Sequence, residues 1–182
     1  MEERGESMAK KWKTKQRIPL SQQEKPYHSI TYGKVTEKEM FDIIVERMKD
    51  SERDHALYVG TDSQTHNGTK VVTVIAILEI GKGGFWFHSV DWTSRLTVEQ
   101  IRVKIYNETM RSIDMAKKLT ETLYENDLDF EVIIHVDLGK GKYSKTKEMI
   151  SEIIGWVNAE GFQAHAKPES WAASTIADRI SK

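Results

Sequence analysis

Tyr58-Val-Gly-Thr-Asp-Ser-Gln64 is the stretch on which the fold of this chain turns. It closes a run, Ala56 to Ser63, that reads as a β-strand, and aspartate is a poor strand residue. Asp62 therefore sits where a carboxylate must be paired, solvated in a cleft or bound to a cation. The residues alone leave a second possibility open, an Asx turn ahead of a hairpin. Asn67-Gly68 follows at once and is a strong hairpin signal. Lys70 to Ile80, rich in β-branched residues, reads as the second strand. Gly81 to Gly84 turns the chain again, and Phe85 to Trp92 reads as the third. Two tight turns predict an antiparallel meander.

Upstream, Thr36 and Glu39 have the spacing of a capping box. Met40, Phe41, Ile44 and Met48 follow at helical spacing, which predicts a leading helix near 36–49. Downstream, a long helix is expected from about Thr97 to Leu123, then a strand from Phe130 to Val136. A loop, Leu138 to Tyr143, leads to a helix over Ser144–Ala159, which Gly161 terminates. A short strand, Phe162 to Ala166, precedes a last helix starting near Ser170. The helical crossover after the third strand puts a parallel pair into an otherwise antiparallel sheet, with helices on its faces.

The bulk numbers narrow the classes. A chain of 182 residues predicts one domain, here 18–182, behind a flexible polar and basic tail over 1–17 that ends in Lys10-Lys-Trp-Lys-Thr-Lys-Gln-Arg17. Without cysteine there is no disulfide framework and no thiolate metal site. No run approaches the ~18 apolar residues of a membrane span, and residues 1–17 lack the apolar core of a secretory signal. The expectation is a cytoplasmic protein with no membrane contact. A net charge of −1 argues against sequence-blind coating of nucleic acid, so contact with a phosphate backbone has to come from a local basic patch.

Three more carboxylates stand out. Asp137 ends the Val132-Ile-Ile-His-Val136 strand, at the carboxyl end where ligands of parallel strands gather. A turn or capping role is the alternative. Glu108 interrupts the apolar stripe of the long helix, sharing a face with Ile101, Ile105, Ser112 and Met115. Such a glutamate is either an edge residue reaching water or a buried one needing Lys, Arg or a metal as partner. Asp178 rides the last helix with Trp171, Ser174 and Thr175, and a solvated carboxylate is the plain alternative. Hard cations such as Mg²⁺ or Mn²⁺ want oxygen ligands of this kind. Two of them held ~4 Å apart activate water and stabilise the leaving oxygen of a phosphodiester.

At this point the chain resembles a known family. The block Tyr58–Gln64, Glu108-Thr109, His135-Val-Asp-Leu-Gly139, Lys145-Thr146, and Lys167-Pro-Glu-Ser170 with Ala173-Ser174 together resemble the ribonuclease H-like YkuK family of bacteria, over roughly residues 30–182. The resemblance implies a ribonuclease H-like α/β fold, a mixed five-stranded sheet of order 3-2-1-4-5 with strand 2 antiparallel and helices on both sides. That order sets Asp62 beside Asp137. It also implies that Asp62, Glu108 and Asp137 bind catalytic Mg²⁺ or Mn²⁺, with Asp178 at a fourth position that varies across the superfamily.

Gly139-Lys-Gly-Lys-Tyr-Ser-Lys-Thr146 nearly matches a P-loop, with Ser144 where the second glycine belongs. Lys140, Lys142 and Lys145 near a helix N-terminus suit a phosphate contact, and Lys167 is a further candidate. A solvated loop is the alternative. His135 points to the same side of its strand as Asp137, and Gln64 to the same side as Asp62, so His135 can support the site and Gln64 can touch substrate. The leading expectation is a metal-dependent nuclease. The alternatives are a non-catalytic nucleic-acid or protein-binding module on the same fold, and a nucleotide-binding switch built on the lysine loop.

Overall fold

The computed structural model describes residues 25–49, 54–95, 101–138, 144–166, 176–177 and 179–180, with 144–148 described by backbone only. The expected tail over 1–17, the start of the long helix at Thr97 and the start of the last helix at Ser170 lie outside those residues.

A small hairpin opens the described chain: β1 (Tyr27–Ser29) and β2 (Gly33–Val35), joined through Gly33 at φ 73°. Helix α1 (Glu37–Lys49) follows. Its N-terminus is the capping box that the sequence predicts. Glu39 N–H donates to Thr36 Oγ1 at 3.2 Å, and Thr36 N–H donates back to Glu39 Oε2 at 2.7 Å. The meander is β3 (His55–Thr65), β4 (Thr69–Glu79) and β5 (Gly83–Thr93); β3 and β5 are longer than the sequence pattern suggests, and β4 is as long but one residue earlier. Helix α2 (Ile101–Tyr124), β6 (Val132–Val136), α3 (Ser144–Ala159) and β7 (Gln163–Ala166) complete the order. α3 ends as expected at Gly161 (φ 90°), where Phe162 N–H reaches Val157 O and Gly161 N–H reaches Asn158 O in a Schellman cap. α2 closes in the same way, with Asp127 in place of glycine at φ 58°.

The sheet has seven strands, ordered β2-β1-β5-β4-β3-β6-β7, which corrects the expected count of five. The expected 3-2-1-4-5 order lies within it as β5-β4-β3-β6-β7. The addition is the β1–β2 hairpin, attached to β5 by the His28↔His88 pair. Strands of three residues show no alternation long enough to read in a sequence. Strand β4 is antiparallel to both neighbours, while β6 pairs in parallel with β3 and with β7.

Alternation along the strands separates two faces. Leu57, Val59, Ile75, Ile77, Phe85, Phe87, Ile134 and Val136 point to one side, into a core shared with α1, α2 and α3. Val72, Val74 and Ala76 point to the other, where Ile176, Ala177 and Ile180 pack on them. Among the described residues, no helix is long and apolar enough to cross a membrane.

Candidate active site

Asp62 lies near the carboxyl end of β3 and is 7% exposed. Its β4 partner is Val72, so its side chain belongs to the face that Ile176, Ala177 and Ile180 cover. The parallel β3–β6 ladder runs from Leu57↔Val132 to Gly60↔His135. Continuing that offset sets Asp62 level with Asp137, which is half-buried just past the end of β6. His135, two residues back, is buried on the same face. Its ring lies 4.4 Å from the Tyr58 ring and 5.9 Å from the His165 ring. Burial first, and the neighbouring His165 second, push the His135 imidazole down to about 4, so it is neutral at physiological pH.

Glu108 approaches from the other side. It sits on α2, which packs against the face formed by Leu57, Val59, Thr61 and Ser63, and it is 8% exposed. The edge position open to it on sequence grounds is therefore not the one it takes. Ser63 Oγ–H donates to Glu108 Oε1 at 2.5 Å, and Lys104 Nζ stands 3.5 Å from the same oxygen. Burial pushes the Glu108 carboxyl up to about 7, against the pull of Lys104 and Ser63, and the Asp62 charge pushes it further the same way. Asp62 and Glu108 thus feel each other through the end of β3.

The polar character of this end extends along α2. Ser112 Oγ lies 3.0 Å from Thr61 Oγ1, which lies 3.2 Å from Thr73 Oγ1, all three buried. A cleft of about 300 Å³ opens beside Glu108, lined by Ser63, Thr93, Lys104, Asn107, Glu108 and Arg111 among others. Arg111 in turn pairs with Asp91 at 2.5 Å, and so does Lys25. The sequence reading did not single out Ser63, Lys104 or the Thr61–Ser112–Thr73 hydroxyls. Lys104 was legible as the i−4 neighbour of Glu108. The hydroxyls become legible only once the register pairs Thr61 with Thr73.

The other expected site residues divide plainly. Gln64 is half-buried on β3, on the face of Asp62. Lys145 belongs to the first turn of α3, and its side chain lies outside the described residues. Lys140, Lys142, Lys167 and Asp178 also lie outside them. Among the described residues, no cluster of three or more His, Asp or Glu side chains stands together in a form that would hold one metal ion. Asp62 and Asp137 share a face, and Glu108 stands on the opposite one. The donor set still suits a hard cation. It is oxygen-only, and Mg²⁺ commonly takes one or two protein carboxylates and completes its shell with water and substrate phosphate oxygens.

A ribonuclease H-like family model matches residues 39–182. With this sheet and a match over most of its length, the chain belongs to the ribonuclease H-like family. Within it, the chain is similar to "Uncharacterized protein YkuK" of Bacillus subtilis (strain 168), 30% identical over 174 residues that take in 85% of this chain and 98% of that protein. Membership points to nuclease or other nucleic-acid chemistry as a class, and a fold by itself does not fix the reaction.

Proposed function

We propose that this protein is a divalent-metal-dependent nuclease that hydrolyses phosphodiester bonds in nucleic acid. The observation that supports the reading is the parallel β3–β6 offset, which, continued past Gly60↔His135, brings Asp62 level with Asp137 just beyond β6, at the carboxyl ends where such sheets bind ligands. In this reading Asp62 and Asp137 hold Mg²⁺ or Mn²⁺ and Asp178 completes the set, while Glu108, on the opposite face of β3, acts on them through its charge across the strand end. A bound cation there supplies Lewis-acid charge at the phosphoryl oxygens and makes water a stronger acid.

The chain's own residues do the rest. Glu108, with its pKa near 7, holds or releases a proton in the physiological range, and Ser63 keeps its carboxyl in one orientation. His135, neutral and two residues before Asp137 on the same face, supports the site. Gln64 contacts the strand, and Lys140, Lys142, Lys145 and Lys167 steer its phosphates. The reaction consumes one water. A new P–O bond forms as the bond to the leaving oxygen breaks, and that oxygen takes up a proton.

The test is cleavage of labelled single-stranded, duplex and hybrid oligonucleotides in Mg²⁺, Mn²⁺ or EDTA, with the Asp62→Asn/Asp137→Asn double variant as control. Metal-dependent cutting that the double variant lacks is the expected result. Absence of cutting by folded wild type on every substrate overturns the reading in favour of a binding module.

A further inference from the structure

On the face of the sheet that carries Asp62, one row has no apolar cover among the described residues. The register aligns Gln64 on β3, Lys70 on β4 and Trp92 on β5. The row lies two residues beyond Asp62, so it shares the Asp62 face and the same end of the sheet. Further in, Ile176, Ala177 and Ile180 cover the rows through Val72, Val74 and Ala76. Lys70 borders that cover, its ammonium donating to the carbonyl of Ile180. Beyond it, Trp92 is 69% exposed.

An indole is a large apolar surface, and leaving it in water is costly unless something covers it in use. The Trp92 ring is backed by chain rather than hung in solvent. It lies beside Gly68 of the β3–β4 turn, where a Cβ would come 3.7 Å from Trp92 Cε3. One edge of the ring is thus set by the turn, and a cation stands one strand away. Two strand spacings and two residues separate Trp92 from Asp62, roughly 12 Å. Three to four stacked nucleotides, at ~3.4 Å each, span that distance.

We propose that Trp92 is a stacking platform for an unpaired base, and that the substrate of the Asp62–Asp137 site is single-stranded nucleic acid lying across the strand ends from β6 to β5. The proposal rests on the hydrolase reading above and narrows its substrate. A π-face can stack on indole only when the base is free of its own helix, so a duplex cannot use the platform. Lys70 matches the charge of the backbone beside the stacked base. The near-zero net charge of the chain supplies little long-range attraction, which leaves stacking as the main local source of affinity.

The test is an anisotropy titration of the full chain in EDTA, where turnover stops, with labelled single-stranded and duplex oligonucleotides of one sequence. Trp92→Ala is expected to weaken single-strand binding about tenfold or more. Trp92→Phe keeps most of the affinity, and duplex binding stays where it was. Unchanged single-strand binding in Trp92→Ala overturns the proposal, and so does an equal loss on both substrates. A wild-type dimer that Trp92→Ala converts to monomer in sedimentation also overturns it, by assigning the surface to a second copy. Failure of the hydrolase reading looks different. Folded wild type then cuts nothing with metal, while Trp92-dependent binding in EDTA persists.

Discussion

The two ends of the contact between α2 and the sheet use the same strands and opposite chemistry. Toward the C-terminal end of α2, Ile113, Ala116, Leu119 and Leu123 join Leu57, Val59, Ile75 and Ile77 in one apolar core. Toward its N-terminal end, Glu108 and Ser112 meet Ser63, Thr61 and Thr73. The first end stabilises the fold by area, at about 25 cal/mol for each Å² of apolar surface removed from water. The second gains only ~0.5–1.5 kcal/mol net per hydrogen bond and has to bury a carboxylate as well. An all-apolar junction would hold α2 more firmly. The polar end thus costs stability, and it is the end of β3 that carries Asp62.

That contrast can be broken from either side. The largest effect belongs to the polar end and to activity. Asp62→Asn/Asp137→Asn is expected to lower cleavage by about 10³-fold or more, several kcal/mol of lost charge stabilisation, with a melting temperature close to wild type. Next comes the apolar end, where Leu119→Ala should cost about 2–5 kcal/mol in denaturant unfolding, because Leu119 is fully buried. The activity of the fraction that remains folded should be intact. Reversal of these two outcomes, with stability lost at the aspartates and activity at Leu119, would remove the division between the ends.

Glu108 gives a sharper reading through pH. Its carboxyl is raised from 4.5 to about 7, so the folded chain keeps a proton that the unfolded chain has released across that window. Stability therefore falls as pH rises from about 4.5 to 7, by up to ~3 kcal/mol. In metal-free buffer, Glu108→Gln should remove that falling contribution. His135 acts with the opposite sign. Its pKa is lowered to about 4, so the folded chain refuses a proton that the unfolded chain takes up, and stability falls as pH drops below about 6.5. Between about 4.5 and 6.5 the two contributions oppose each other, so the Glu108→Gln curve should rise more steeply with pH there than wild type, and an unchanged slope would contradict the Glu108 assignment. The smallest effect is at the hydroxyls. Ser112→Ala should cost about 1 kcal/mol in chemical unfolding, since the hydroxyls of Thr61 and Thr73 remain 3.2 Å apart without it.

Much of the fold was legible because its longer elements carry their own signals. The Thr36–Glu39 box, the glycines at 81 and 161 and the β-branched run of β4 each state a local structure. The β1–β2 hairpin was not legible, since three residues per strand leave no period to detect. Of the site, the sequence pointed to Asp62, Asp137 and Glu108 individually, and the resemblance put them together. What it left out was the sheet between them. Face assignment depends on register, and a single step reverses it. Only the observed pairing of Asp62 with Val72 and Ser63 with Val71 shows that Glu108 meets β3 through Ser63 rather than on the Asp62 side.

The central claim is that Asp62 and Asp137 are placed to hold a divalent cation. The most direct measurement is calorimetric titration of Mn²⁺ into wild type, Asp62→Asn and Asp137→Asn, each confirmed as folded. The account predicts saturable binding by wild type that either substitution removes or weakens at least about tenfold, the scale expected when a charged ligand is lost from a metal site. Binding of equal strength in all three proteins, or none in wild type, would contradict it.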